Sequence, residues 1–192
     1  TNQNQIADKL KASFFDHFRY NPPEQEVRSW SNSLKDMALL LNTSGLDDHG
    51  VILEYQLPQT SKRLDFMVCG RNDAMKDNAV IVELKQWERC GLADGDNEVT
   101  TFVGGAVREV LHPSAQANQY RMYLQDNHTA FYDGMDPVAL SSCAYLHNYR
   151  YTPDDPLLDA RFHELLGTCP LYSKDDVPRI KDFLIHRLRS GE

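Results

Sequence analysis

The sequence predicts an α/β fold, a mixed central sheet flanked by helices. Two helical patterns open the chain, and three apolar, β-branched runs follow in close succession. A helix, a fourth strand and a last helix then complete the order, a succession that buries one sheet between helical layers. No repeat, low-complexity tract or internal linker breaks the 192 residues, so a single domain over 1–192 is expected.

The elements follow in order. Ile6 to Phe18 reads as a helix, with Leu10, Phe14 and Phe18 four apart on one face. Asn21-Pro22-Pro23-Glu24 reads as a helix start, with Asn21 as N-cap, proline at the first position and Glu24 three after the cap. The helix runs to about Leu41 and turns Val27, Trp30, Leu34, Met37 and Leu41 inward; Asn42 to Gly45 stops it. Val51 to Leu57 is the first strand, Pro58 to Ser61 a turn, and Arg63 to Val68 the second strand. After a polar loop from Gly70 to Asn78, Ala79 to Gln86 is apolar almost throughout, which places it in the middle of the sheet.

Glu88 to His112 has little periodicity beyond a short strand at Val99 to Val103, before Gly104-Gly105. Pro113-Ser114 opens a helix to about Leu124, and Ser141 to Tyr149 is the fourth main strand. Pro153 to Pro170 is irregular, with a short helix near Phe162 to Leu166. The last helix, about Val177 to Arg189, buries Ile180, Phe183, Leu184 and Leu188.

Composition narrows the function classes. Hydrophobic residues make up 41% and charged residues 25%, as in ordinary globular proteins. No apolar run is long enough to cross a bilayer, and the polar first ten residues do not resemble a signal peptide. The chain starts without Met, so it is expected to be a piece of something longer. Cys69, Cys90, Cys143 and Cys169 are scattered, which predicts reduced thiols in a cytoplasmic protein. The seven histidines show no zinc spacing. A net charge of −8 argues against gripping nucleic acid by the whole surface, though not against a local positive groove or a bound cation.

Chemistry is concentrated between Arg63 and Trp87. Glu83 and Lys85 sit two apart in a strand and so project from the same face. A buried carboxylate or ammonium costs several kcal/mol unless it is paired or bound to a metal. Asp65 lies eighteen positions before Glu83 on the preceding strand, a spacing that makes them hairpin neighbours. Two close carboxylates suit a hard cation such as Mg²⁺, completed by waters and phosphate oxygens. Lys85 beside them can hold an attacking water and offset charge on a phosphate, which is metal-assisted hydrolysis.

Other residues carry two readings each. Arg108 fits either a bidentate phosphate donor or a solvated surface arginine. Gly104-Gly105 is either a substrate-lining loop or a tight turn. Trp87 and Tyr55 suit base stacking or packing, and His112 and His147 suit a site role or the core. Asp94 to Glu98 reads as a solvated acidic loop.

Asp65 followed by Glu83-Leu84-Lys85 resembles the signature of the PD-(D/E)XK nuclease superfamily, over roughly Glu24 to Tyr149. Gln116 and Tyr120, four apart on one helix face, are similar to the Q-x-x-x-Y pattern of its RecB-like members. The resemblance implies a restriction-endonuclease-like core of helix, three strands, helix and strand. It also implies a deoxyribonuclease using Mg²⁺, with Mn²⁺ as a substitute, held by Asp65, Glu83 and the backbone carbonyl of Leu84. An acidic residue from the first helix or first strand completes that shell; Glu26 and Glu54 both qualify, and Glu54 has Arg63 and Lys62 as alternative partners. Gln116 and Tyr120 are implied to support the site and touch the substrate, with Arg108 a further phosphate contact. Leu64 stands where the superfamily often has the proline of its "PD" motif.

More loosely, residues 52–58, 82–87 and 103–105 with His112-Pro113 resemble the N-terminal nuclease domain of bacterial nuclease–helicase fusion proteins. That implies an attached C-terminal helicase/ATPase domain and a role in DNA processing or phage defence. The chain has no G-x-x-x-x-G-K-[ST] loop of its own. Many enzymes on this fold pair, so a homodimer is among the expected partners. Two other readings stand beside the nuclease: an idle nucleic-acid docking module on the same fold, and a hydrolase of small phosphate compounds.

Overall fold

A computed structural model describes residues 3–189 and 191, and it divides the chain into two compact units, Thr1–Gly45 and Leu46–Glu192. In the first, helix α1 (Gln3–Phe18) is joined to helix α2 (Glu24–Asn42). Phe14 meets Tyr20 edge-on at 5.3 Å between ring centroids and Trp30 at 6.1 Å. The side chain of Phe18 lies outside the described residues. In α2, Trp30, Leu34, Met37 and Leu41 are buried, as the spacing predicts, while Val27 is half-buried.

The start of α2 differs from the expectation. Pro23, not Asn21, is the N-cap, with φ −56° and ψ 142° and no side-chain capping bond. A residue before proline is pushed out of helical conformation, so Pro22-Pro23 delays the helix until Glu24.

The second unit runs β1 (Gly50–Gln56), β2 (Arg63–Arg71), β3 (Asp77–Lys85), β4 (Cys90–Leu92), β5 (Glu98–Val103), β6 (Ala106–Leu111), α3 (Pro113–Asn127), β7 (Ala139–Leu146), α4 (His163–Thr168), β8 (Leu171–Ser173) and α5 (Val177–Arg187), with short 3₁₀ turns between. A five-stranded sheet has the order β1-β2-β3-β7-β8. Strands β1 to β3 form an antiparallel meander, and β7 and β8 run parallel to β3. The parallel step from β3 to β7 needs a crossover, which α3 supplies. The fold is therefore α/β with a mixed sheet. As expected, β3 is central: Asn78 to Leu84 are all buried.

One sheet face packs under α3, where Leu64, Met67, Ala79, Ile81, Leu140, Tyr120 and Leu124 cluster. At roughly 25 cal/mol per Å² of apolar area, such burial is the main force holding the layers together. Helix α5 covers the opposite face, where the Arg187 Nε donates to Ser141 Oγ at 3.2 Å. In α5, Ile180 and Leu184 are buried with Leu188 just beyond it, whereas Phe183 is half-buried under the Arg187 guanidinium.

Several elements depart from the sequence reading. The β2–β3 connection is tighter than a loop from Gly70 to Asn78, because both strands extend, to Arg71 and from Asp77, and those two side chains pair at 3.0 Å. The fourth main strand stops at Leu146 rather than Tyr149. Residues 90–111, expected to hold one short strand, form a separate antiparallel sheet β4-β5-β6. Its base is seated by Val99, which clusters with Ala144, Leu146, Tyr149, Leu157, Phe162 and Leu171. Asp155 fixes that region by accepting bonds from the Tyr149 hydroxyl, the Thr152 N–H and hydroxyl, and the Leu157 N–H. All four cysteines are free thiols.

The unit also closes on itself. His49 Nε2 meets the Leu188 carbonyl at 2.5 Å, and Gly191 lies so near the Asp48 backbone that an added Cβ would sit 2.8 Å from its carbonyl oxygen. Among the described residues, no helix is long and apolar enough to cross a membrane.

Candidate active site

The β2–β3 ladder places Phe66 opposite Val82, and the same register carried one residue further sets Asp65 opposite Glu83. There the Asp65 carboxylate takes over from the ladder: its Oδ2 accepts the Leu84 N–H at 2.9 Å. Glu83 shares the α3-facing side of β3 with Ala79 and Ile81, because side chains alternate along a strand. Its residue exposure is 0%.

Lys85, one pleat further on, brings its Nζ within 2.8 Å of Glu83 Oε1. The same ammonium donates to Gln116 Oε1 at 3.1 Å, and Gln116 Nε2 donates to the Tyr120 hydroxyl at 2.9 Å. Helical spacing of four is what allows Gln116 and Tyr120 to meet on one face of α3. The Lys85 ammonium also sits 5.6 Å from the centroid of the Trp87 ring. Five of the predicted residues (Asp65, Glu83, Lys85, Gln116 and Tyr120) thus form one continuous polar chain between the sheet and α3.

Electrostatics follow from burial. Glu83 is pushed up to about 8 from an ordinary 4.5, first by loss of water and second by the Asp65 charge, with Lys85 pulling the other way. Asp65 is raised for the same leading reason, although Lys85, the Leu84 N–H, a hydrogen bond with Glu83 and Arg63 oppose it. Burial acts to lower Lys85, but Glu83 and Asp65 together outweigh it and raise the ammonium above its usual value. Tyr120 is raised by burial and by the negative Glu83.

Beyond Lys85 at Oε1 and the side chain of Asp65, neither buried Glu83 oxygen has a further hydrogen-bond partner among the described residues. A buried, incompletely satisfied carboxylate beside a second carboxylate is a donor set suited to a hard cation. Among the described residues, no group of three or more His, Cys, Asp or Glu side chains converges as a metal cluster. Such a cation would therefore draw on two carboxylates and a backbone carbonyl such as that of Leu84, with water or substrate oxygens completing the shell.

The remaining predicted residues are spread over several elements. Glu54, opposite Asp65 in the β1–β2 register, pairs with Arg63 at 2.6 Å, one of the two alternatives open to it. Its φ of +51° marks a local kink in β1. Glu26 is half-buried in the first turn of α2, in the helical unit. Arg108 lies on β6, exposed and outside the polar chain. His112 is structural: buried, it caps α3 by accepting the Ser114 N–H and bonds the Leu157 carbonyl, and burial lowers it to about 4. Tyr55 packs against the α3-side core, while Trp87 is half-buried and also faces Lys85.

One residue of consequence escaped the sequence reading as part of the site. Arg63 anchors Glu54 and favours the ionised form of Asp65. The signal was present, since Arg63 and Asp65 are two apart on one strand and share a face. A cavity of about 430 Å³ also lies between the sheet and the later part of α3, lined by Ile52, Met67, Cys69, Leu124, Phe131 and Val138, and it excludes Asp65, Glu83 and Lys85. No family model, curated protein or solved structure matches the chain.

Proposed function

We propose that the chain is a Mg²⁺-dependent nuclease hydrolysing DNA phosphodiester bonds, with a PD-(D/E)XK site on a restriction-endonuclease-like core. The observation that supports this best is the single polar chain from Asp65 through Glu83, Lys85 and Gln116 to Tyr120. A structural ion pair needs two members. Here two carboxylates face one ammonium, an amide accepts from that ammonium on the other side, and a phenol in turn accepts from the amide.

Asp65, Glu83 and the Leu84 carbonyl would hold the ion, which supplies Lewis acidity toward the phosphoryl group and lowers the pKa of a water. The residues do the rest. Asp65 is oriented by the Leu84 N–H, which fixes one oxygen and leaves the other to face Glu83. Lys85 stays protonated, so it orients a water and meets the charge that grows on the phosphate oxygens. Gln116 sets the position of the Lys85 Nζ, and Tyr120 sets Gln116. The net charge of −8 fits a domain that relies on an attached helicase/ATPase domain for its hold on DNA, in DNA processing or phage defence.

The test is cleavage of labelled DNA with Mg²⁺ or Mn²⁺ by the wild type and by Asp65→Ala, Glu83→Ala and Lys85→Ala, each checked for folding by circular dichroism. Loss of cleavage in all three is expected, and folded variants that still cut would eliminate the assignment. One observation favours a second reading, an idle nucleic-acid docking module: Glu83 is wholly buried and already engaged by Lys85. Tight DNA binding with no turnover under any divalent ion would select that reading.

A further inference from the structure

The layer between the sheet and α3 is not filled to its end. Toward the C-terminus of the helix, the cavity of about 430 Å³ opens between β1–β3 and the turn that follows α3. Strand register builds its floor: Ile52 pairs with Met67 and Cys69 with Ala79, and all four side chains take the α3 side. The roof does not close because α3 stops at Asn127. His128 is extended, with φ −119° and ψ 116°, and only a 3₁₀ turn, Thr129–Phe131, continues over the sheet.

The walls specify what can enter. Tyr55, His128 and Phe131 supply rings, the last two 5.4 Å apart between centroids. Met67 and Cys69 add two polarisable sulfurs, which make favourable contacts with ring edges. Charge is cancelled. Arg71 and Asp77 bond to each other at 3.0 Å, with side chains 43% and 58% exposed at the rim. His128 Nδ1 accepts the Ala130 N–H at 3.3 Å, so that nitrogen carries no proton and the imidazole is uncharged. An ion drawn inside would lose its water and find no free counter-charge. Two weak polar groups remain, since neither the Tyr55 hydroxyl nor the Cys69 thiol has a hydrogen-bond partner among the described residues. Burial pushes the thiol up and keeps it neutral. The volume is near the lower end of the roughly 300–1,000 Å³ of small-molecule pockets, room for one or two fused rings.

We infer that this cavity is a binding site for a small, uncharged aromatic molecule of one or two rings. The occupant completes the layer that Ile81 and Tyr120 fill beside the polar chain, with its faces against Tyr55 and Phe131 and its edge toward Met67 and Cys69. No nucleic acid and no metal enters this inference, and it stands whether or not the chain is a nuclease.

The test uses the full chain in EDTA with 5-fluoroindole as the probe, followed by fluorine NMR. Saturable binding is expected, with indole as an effective competitor and its charged relatives indole-3-acetate and tryptamine weaker by roughly tenfold. Val138→Trp, which fills the cavity from its wall, should weaken the probe by a similar factor. Maleimide modification, followed peptide by peptide, places the site: the probe should slow Cys69 several-fold and leave Cys90 unchanged, since Cys90 is also half-buried but lies on β4 outside the cavity. If Val138→Trp does not fold, the two cysteine rates in the wild type decide. No saturable binding, equal competition by the charged relatives, a folded Val138→Trp that binds as the wild type does, or equal slowing of both cysteines overturns the inference. Slowing of Cys69 by raised protein concentration alone would show that a second copy fills the cavity, and overturns it as well.

Discussion

Glu83→Gln gives the sharpest test of the electrostatics at the sheet–helix junction. The folded protein holds the Glu83 proton up to about pH 8, whereas an unfolded glutamate releases it near 4.5. Because the folded pKa lies above the unfolded one, the contribution is complete below pH 4.5 and is lost as pH rises through the interval to 8. Each pH unit inside that window costs about 1.4 kcal/mol per proton. Asp65, also raised, acts in the same direction. Lys85 is protonated in both states across the window and contributes no slope there. Without divalent ions, the wild type is therefore expected to lose on the order of 3 kcal/mol between about pH 5 and pH 8. With m near 2 kcal/mol/M, that is a fall of roughly 1.5 M in the urea midpoint. Gln at 83 cannot ionise, so its midpoint should fall less than half as far. Urea titrations at half-unit pH steps in EDTA, followed by circular dichroism, measure both curves. A flat wild-type profile, or a Glu83→Gln profile as steep as the wild type, refutes the reasoning.

Metal binding must displace the same proton. Mn²⁺ is therefore expected to raise the melting temperature more at pH 8 than at pH 6, and scanning calorimetry at fixed Mn²⁺ checks this; equal shifts would count against Glu83 as a ligand. Tyr120→Phe removes the acceptor for Gln116 Nε2, and is expected to cost about 1 kcal/mol of stability and roughly tenfold in cleavage rate through a misplaced Lys85. The companion Gln116→Ala should reproduce the rate loss, and a Tyr120→Phe enzyme at full speed would remove Tyr120 from the positioning chain. Arg63→Ala removes the Arg63–Glu54 ion pair from a partly buried strand and should destabilise by about 1–3 kcal/mol, read by urea unfolding.

The parts of this architecture that were legible in the sequence have strong periodicity. Glu83 and Lys85 announced themselves because a charged pair at strand spacing inside a buried run is costly to keep unless it has a task. Gln116 and Tyr120 were legible as a helical pair. The sheet β4-β5-β6 was not, since Val107 and Phe102 face solvent and Arg108 and Glu109 follow directly, so β6 shows neither clean alternation nor a buried run. Strand β8 is three residues long, too short to carry a pattern. Arg63 was read as a partner for Glu54 only, because its influence on Asp65 depends on how closely β1, β2 and β3 bring those side chains together.

The bond between His49 and Leu188 has a practical corollary. The unit from residue 46 onward enters and leaves at neighbouring points, so the polypeptide describes a near-closed loop. A short linker could join those two points while new ends are opened at an exposed bend such as Gly134, where φ is +94° and nothing crowds the backbone. By the same geometry, the unit could sit within a larger polypeptide as an insert, occupying little more room between its neighbours than a tight turn.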